Sequence, residues 1–449
     1  MFRLVENDLI SWKTQVNRKP LLIRGARQVG KSYVVEKFGA SQFEQIIIVN
    51  FELDPRFIAC FDSLEPEKII RSIALLTKQI ITPGKSLLFL DEIQQAPKAI
   101  MSLRYFKEKM PDLHVIGAGS FLEFVINDDM YSQPVGRVQS LYMRPCSWHE
   151  YLLASQEHQL IDHLSSVSPL SSIEPPIHEL LLEKCREYFI LGGMPEVIDY
   201  YLNTKQYLGC DRIHASILEY YRRDLAKYRE KINTHILEKC FVKAPGLVAR
   251  HFKYVDIDPD TPARDFKPAL EMLVKAGIIH FIHHTSANGL PLSLGINEKK
   301  FKLLFLDIGL VKHALGLDSA ALLSENLILM NQGSLAEQFV GQELIAYKKS
   351  YESAELFYWE REKTGSQAEV DYIIAIGPHI YPVEVKSGAT GRLKSLTIFL
   401  QEKAMRTKRN IGICISQKPL SFVQCSSYGI LNVPFYMIHE LPRLIENVH

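Results

Sequence analysis

The chain has 449 residues, 47% hydrophobic and 23% charged, an ordinary globular composition with ample material for a large core. That length suggests roughly three domains at about 150 residues each, or two of unequal size. A formal net charge of +1 excludes a global electrostatic drive toward nucleic acid or membrane, so any basic surface has to be local. No run reaches the roughly 18 consecutive apolar residues of a membrane span. The start, Met1-Phe2-Arg3-Leu4-Val5-Glu6-Asn7-Asp8, meets acids too soon for a signal peptide. Seven cysteines, at positions 60, 146, 185, 210, 240, 414 and 425, form no Cys-x-x-Cys pair. Buried single thiols in a reducing compartment are therefore expected rather than a disulfide framework or a zinc site. The expectation is a cytoplasmic protein without a membrane partner.

In chain order, residues 1 to about 155 alternate short apolar runs with helical stretches. Leu21-Leu22-Ile23, Ile46 to Val49, Leu87 to Leu90 and His114-Val115-Ile116 read as strands. Continuous apolar strands spaced by helices imply a parallel sheet covered on both faces. The zone from about 175 to 325 is mostly helical. Within it, a helix ending near Ala276-Gly277 precedes a strand at Ile278 to Ile282. A turn at Ser286-Ala287-Asn288-Gly289 and a second strand at Lys302 to Leu306 follow. Helix, strand, turn, strand is the order of a winged helix, with a helical connector and plain hairpin as the alternative. From about 330, a helix at Ser334 to Lys348 leads into β-runs at Glu355 to Trp359, Glu369 to Ile376, Ile380 to Val385 and Asn410 to Ile415. A helix around Leu393 to Met405 sits between the last two, making an α/β unit with a central hairpin.

Gly25-Ala26-Arg27-Gln28-Val29-Gly30-Lys31-Ser32 fits Gly-x-x-x-x-Gly-Lys-Ser/Thr, between a strand and the helical stretch Tyr33 to Phe38. Its glycines let successive backbone N–H groups wrap phosphates at the positive end of the following helix. Lys31 is expected to reach the β and γ phosphates and Ser32 to ligate magnesium. The strand Leu87 to Leu90 ends in Asp91-Glu92. Asp91 suits the magnesium shell, and Glu92 suits orientation and activation of an attacking water. ATP with Mg²⁺ is the expected ligand pair. Ser120, after the strand containing Val115-Ile116, is a candidate γ-phosphate sensor, against a plain Gly-rich turn. Arg137 is a candidate arginine finger, within or between subunits, against a solvated loop arginine.

These blocks, with Arg24, Ile93-Gln94, Gly136-Arg137, Arg144-Pro145, Trp148 to Leu152 and Gly192-Gly193-Met194-Pro195-Glu196, cover most of the chain. Together they resemble prokaryotic AAA+-like ATPases fused to a C-terminal domain of unknown function. The resemblance implies a finger role for Arg137 and favours the winged helix, but supplies no defined cellular role.

A second constellation follows in Glu369-Val370-Asp371 and Pro382-Val383-Glu384-Val385-Lys386. A two-residue turn at Gly377-Pro378 places Asp371 opposite Glu384, and alternation puts Glu384 and Lys386 on one face. Two carboxylates and a lysine suit a hard divalent cation bound through Asp371 and Glu384, beside a hydrolytic lysine. Glu337 on the preceding helix offers a third carboxylate. Glu337, Asp371, Glu384 and Lys386 in this order resemble the PD-(D/E)XK nuclease superfamily. Gln401 is read as a solvated helix residue or an accessory polar group. Lys386, Arg392, Lys394, Lys403, Arg406, Lys408 and Arg409 face only Glu402 in sequence. That run suggests a nucleic-acid face or a solvated helix.

The expected class is α/β in three parts. Residues 1–160 form an AAA+-like P-loop domain and 175–325 a helical region with a winged helix. Residues 330–449 form a restriction-endonuclease-like domain. The expected function is an ATPase coupled to a domain that binds or cleaves DNA. The alternative is a nucleotide-switched interaction protein with an inactive nuclease-like domain, and a small-molecule kinase leaves the second constellation without a role. Oligomeric state stays open, a finger between subunits implying a ring or homodimer. His280, His283 and His284 show no metal-ligand spacing.

Overall fold

The computed structural model describes residues 2–120, 122–123, 136–171, 173–226, 233–317, 319, 333–361, 367–387, 393–403 and 410–448. The chain packs as two compact units. The first comprises Met1–Arg144 with Lys275–Ile278 and Lys348–Ser353, and the second Pro145–Val274, Ile279–Tyr347 and Ala354–His449.

Strands β1 (Leu21–Arg24), β2 (Gln45–Asn50), β3 (Ser86–Asp91), β4 (His114–Ala118) and β5 (Gln139–Tyr142) make the first unit's sheet. Their order is β2-β3-β4-β1-β5, every pairing parallel. Every residue of β3 and β4 is buried, as a sheet covered on both faces requires. One layer packs Leu22, Ile47, Val49, Leu88, Leu90 and Val115 against Phe61, Ile69, Ile73, Leu103 and Phe106. The first four strands fall on the apolar runs in the sequence. β5 does not, because it is a short edge strand whose Leu141 alone is buried. The helix after the P-loop runs Lys31–Gln42, longer than read, and none of the seven cysteines is in a disulfide.

The second unit opens on helices, the first being Trp148–Ala154, closed by a capping box in which Ser147 and Glu150 exchange hydrogen bonds. Its sheet contains β6 (Ile279–Thr285), β7 (Ile296–Phe305), β8 (Leu356–Glu360), β9 (Glu369–Ile376), β10 (His379–Val385), β11 (Ile411–Ser416), β12 (Ser421–Gln424) and β13 (Gly429–Pro434). Their order is β12-β13-β11-β10-β9-β8-β6-β7. Helix Ala263–Lys275, β6 and β7 follow the winged-helix order. However, β6 pairs in parallel with β8, so the hairpin is built into the sheet rather than standing as a separate wing. The boundary drawn between 325 and 330 thus falls inside one sheet, and that at 160 lies beyond the end of the first unit at Arg144.

From Gly333 the order is helix Gly333–Ala346, the antiparallel meander β8-β9-β10, helix Lys394–Lys403, and β11 parallel to β10. His379 pairs with Ile376 across the two-residue turn Gly377-Pro378, as the sequence indicates.

Glu343, on helix Gly333–Ala346, ties this part of the unit to the capping-box helix. Both its carboxylate oxygens accept the Trp148 N–H at 3.1 Å, and the Tyr188 hydroxyl donates at 3.3 Å. Burial pushes its pKa up to about 8, with Tyr347, Trp148 and Tyr188 pulling the other way and Glu150 adding to the rise. The folded state therefore holds a proton that the unfolded chain releases near pH 4.5. This group's contribution is full below about pH 4.5 and is lost as pH rises from there through about 8. Denaturant midpoints should fall between about pH 5 and 8 and level off above, and Glu343→Gln should remove up to about 1.4 kcal/mol per pH unit of that slope. An unchanged slope in the variant would show that Glu343 is not the titrating group.

Candidate functional site

The first unit places its chemistry where β1 and β3 end. Between Arg24 and the helix at Lys31, Gly25, Gln28 and Gly30 all take positive φ, at 142°, 63° and 90°. Such a sequence of conformations turns neighbouring N–H groups inward and makes an anion cradle. At Gly25 no side chain fits, because a Cβ would lie 2.1 Å from the Met143 carbonyl oxygen. Ala26 and Val29 are buried, and the Arg27 guanidinium lies 3.8 Å from Glu52.

Lys31 is only 8% exposed, and its amine donates to the carbonyls of Gly25 at 3.0 Å and Ala26 at 2.7 Å. Burial lowers its pKa to about 8, opposed by Glu92 and Asp91, with Arg27 adding to the fall. Ser32 Oγ donates to Asp91 Oδ1 at 2.9 Å, and Asn50 Nδ2 donates to Asp91 Oδ2 at 2.9 Å. Burial raises the Asp91 pKa, with the Ser32 and Asn50 hydrogen bonds pulling it down and Glu92 adding to the rise. Glu92 follows in left-handed backbone (φ 50°), turned away from the strand direction and bonded by the Gln94 amide. Ser120 is buried two residues past the end of β4, the strand between β1 and β3. The P-loop, Asp91, Glu92 and Ser120 thus all lie at the C-terminal ends of β1, β3 and β4, one end of the parallel sheet.

Two residues of this site were missed. Asn50 ends β2 opposite Asp91, a polar residue closing an apolar run just as Asp91 does. Arg3 is buried and braces the loop from below, donating to the Val29 carbonyl at 2.8 Å and the Arg144 carbonyl at 2.7 Å. Nothing in its sequence context marks it.

Arg137 lies elsewhere. It precedes β5 by two residues, and Gln139 pairs with Leu21, the first residue of β1, whereas the P-loop follows the last. The length of a four-residue strand, roughly 13 Å at 3.3 Å per residue, separates the two ends of β1. Arg137 is 53% exposed at the side chain and pairs with Glu108 at 3.3 Å. It does not reach the P-loop of its own chain, which removes the within-subunit finger.

The second constellation lies in the second unit. Continuing the β9–β10 register past Val383 and Tyr372 sets Asp371 opposite Glu384. Asp371 Oδ2 accepts the Val385 N–H at 2.7 Å. Lys386 donates to Glu384 Oε1 at 2.6 Å, while the buried Oε2 of Glu384 accepts no hydrogen bond. Burial lifts the Glu384 pKa to about 7, with Asp371 adding to the rise and Lys386 opposing it. Glu337 rises to about 8 through burial and then Asp371, with Lys302 opposing. Burial likewise raises Asp371.

Lys302, on β7, is the residue that sequence reading passed over. It is 2% exposed, 3.5 Å from Glu337, paired with Glu369, and 5.2 Å from the Tyr358 ring centre. His251 also bonds Glu369. Glu337 is therefore balanced by an internal ammonium rather than open to a cation. The orphaned Glu384 oxygen beside Asp371 does fit a hard cation, which wants oxygen ligands. Gln401 is exposed, as the solvated reading expects, and so is Lys394. Lys403 donates to the Ser286 carbonyl and to Asn288, so it anchors the turn after β6. Arg392, Arg406, Lys408 and Arg409 lie outside the described residues.

Residues 17–152 match the AAA domain family. Residues 182–321 and 332–436 match two domains of unknown function, DUF8612 and DUF4143. No curated protein matches the chain. Among solved structures, the chain is similar to the Aeropyrum pernix ORC1 protein in complex with DNA, at 14% identity and a TM-score of 0.27, over 70% of this chain and 90% of that one. AMPPCP-bound DnaA from Aquifex aeolicus gives 12% identity and a TM-score of 0.29, over 61% and 90%. The Thermotoga maritima RuvB Holliday junction branch migration motor gives 15% and 0.26, over 61% and 86%. The family match, the parallel sheet and the P-loop geometry agree on a P-loop ATPase domain in the first unit. No helix among the described residues is long and apolar enough to cross a membrane.

Proposed function

We propose that the chain hydrolyses ATP with Mg²⁺ in its first unit and that its second unit carries a PD-(D/E)XK-like site that binds or cleaves DNA. Lys31 and the P-loop N–H groups hold the phosphates, and Ser32 and Asp91 hold the ion. Magnesium there supplies positive charge against the phosphate oxygens. Glu92 orients and activates the attacking water, Ser120 senses the γ-phosphate, and Arg137 serves a neighbouring copy of the chain.

The observation that carries the second half is the position of Asp371 and Glu384 on adjacent strands of a meander flanked by two helices, with Lys386 directly after the second strand. That is the arrangement the nuclease resemblance implies. A catalytically silent binding domain is the second reading, favoured by one observation: the Lys302 ammonium pairs with both Glu337 and Glu369, where a nuclease would hold its ion. Incubating plasmid and single-stranded DNA with Mg²⁺ or Mn²⁺, with and without ATP, separates the two. Cleavage that Asp371→Asn abolishes establishes the nuclease, and its dependence on ATP reports coupling. Intact ATP hydrolysis with no cleavage under any condition overturns that half and leaves the silent domain.

A further inference from the structure

Away from both sites, three ligand-type side chains of the second unit converge. Asp211 and His214 stand three residues apart on one face of helix Tyr207–Ala226, and His313 lies near the end of helix Ile308–Ala314. One ligand atom from each lies within 4.8 Å of the others, and no other set of three among the described residues does so. Nδ1 of each histidine is 3.9 Å from Asp211 Oδ1.

The ring of His214 is fully buried. Its Nε2 is 2.8 Å from the Leu191 carbonyl oxygen, which can only accept, so Nε2 carries the hydrogen. In the neutral ring Nδ1 is then a bare lone pair, and it is buried without a hydrogen-bond partner. It faces a carboxylate oxygen, another acceptor, at a separation too long for a hydrogen bond. Two facing acceptors call for a cation between them. A tetrahedral ion about 2.0–2.2 Å from each ligand needs ligand atoms roughly 3.4 Å apart, so each histidine closes on Asp211 by about half an ångström, and the two histidines, within 4.8 Å of each other, close by up to about 1.4 Å.

The surroundings suit this use. A ring N–H donated to a backbone carbonyl is the usual outer partner of a metal-bound histidine. Gly309 makes room for the ring, since a Cβ there would lie 2.8 Å from His214 Nε2 and 2.4 Å from the Leu191 oxygen. The Lys312 amine presently balances the carboxylate, 2.6 Å from Asp211 Oδ1 and 2.8 Å from Ser319 Oγ. Ser319 also donates to Asp211, at 3.1 Å to Oδ2.

We propose that Asp211, His214 and His313 bind a divalent transition ion of the zinc type, with Lys312 as its internal competitor. Two imidazoles and one carboxylate favour such an ion over magnesium or calcium, which prefer oxygen.

The test uses the full chain, stripped with a chelator and titrated with Co²⁺ in excess Mg²⁺, which fills the all-oxygen sites. Visible absorption and melting temperature are read together. Wild type should take up one Co²⁺ with a visible band and a raised melting temperature. His313→Ala, at a part-exposed position, should weaken binding about a hundredfold while melting normally without metal. Lys312→Met should bind about tenfold more tightly, because a like charge has gone. Equal uptake by wild type and His313→Ala, or no uptake by either wild type or Lys312→Met, overturns the proposal.

Discussion

Lys31→Ala should lower ATP turnover by roughly 10²–10³-fold, the scale of losing one charged donor from a preorganised site. Its melting temperature should stay near that of wild type, because the amine bonds only the carbonyls of its own loop, Gly25 and Ala26. Glu92→Gln should behave differently, keeping nucleotide affinity while losing turnover, since Glu92 stands beyond the Ser32–Asp91–Asn50 chain rather than within it. The position of Arg137 adds a sharper expectation. It sits at the far end of the sheet from its own P-loop, so Arg137→Ala should also slow turnover, but only in assemblies. Mixing the Lys31→Ala and Arg137→Ala chains should then restore part of the rate, each supplying what the other lacks. Turnover by Lys31→Ala within threefold of wild type would rule out this loop as the hydrolytic site. Absence of any recovery on mixing would rule out the intersubunit finger.

The first site was legible because its signals are local. A glycine-rich loop between a strand and a helix fixes its own geometry, and an acidic pair closing an apolar strand declares its end of the sheet. Asn50 obeys the same rule and was recoverable from it. What sequence hid was tertiary. After Ile296, the first half of β7 is Asn297, Glu298, Lys299 and Lys300 at a sheet edge, so the apolar run covers only its second half. β13 is bounded by Gly429 and Pro434, residues that read as turn punctuation, yet it is almost wholly buried between β11 and β12. The hairpin's merger with β8 depends on a pairing 70 residues or more away in sequence, which no local pattern encodes. Lys302 looked like the polar start of a strand, and its role appears only when β7 lies across from helix Gly333–Ala346. Asp211 and His214 show the opposite case. Their i, i+3 spacing was visible, but His313 joins them from about 100 residues further on.

Lys302→Met should destabilise the second unit by about 3–5 kcal/mol, the cost of stripping one partner from a buried ion pair. The ammonium is almost wholly enclosed, and Glu337, Glu369 and Asp371 all feel its charge. Removing it leaves the His251 ring as the sole remaining basic partner of Glu369 and none within bonding reach of Glu337 among the described residues. Glu337 and Asp371 would then ionise with still more difficulty, and Glu369, which burial raises but His251 and Lys302 hold down to about 2, would lose part of that depression. The folded variant would hold protons that its unfolded chain releases, and its deficit should therefore grow as pH rises from 5 to 8 and shrink on acidification. Glu337→Gln in the same chain should recover part of the loss, since it removes one of the stranded charges. If Mn²⁺ binds between Asp371 and Glu384, it should also raise the variant's melting temperature more than that of wild type, replacing the missing charge. A deficit below about 1 kcal/mol, the same at every pH, would show an ordinary packing change instead. The carboxylates would then be balanced by solvent rather than by Lys302. A metal-dependent rescue would instead mark the site as one built to hold a cation, with Lys302 supplying that charge when no ion is bound.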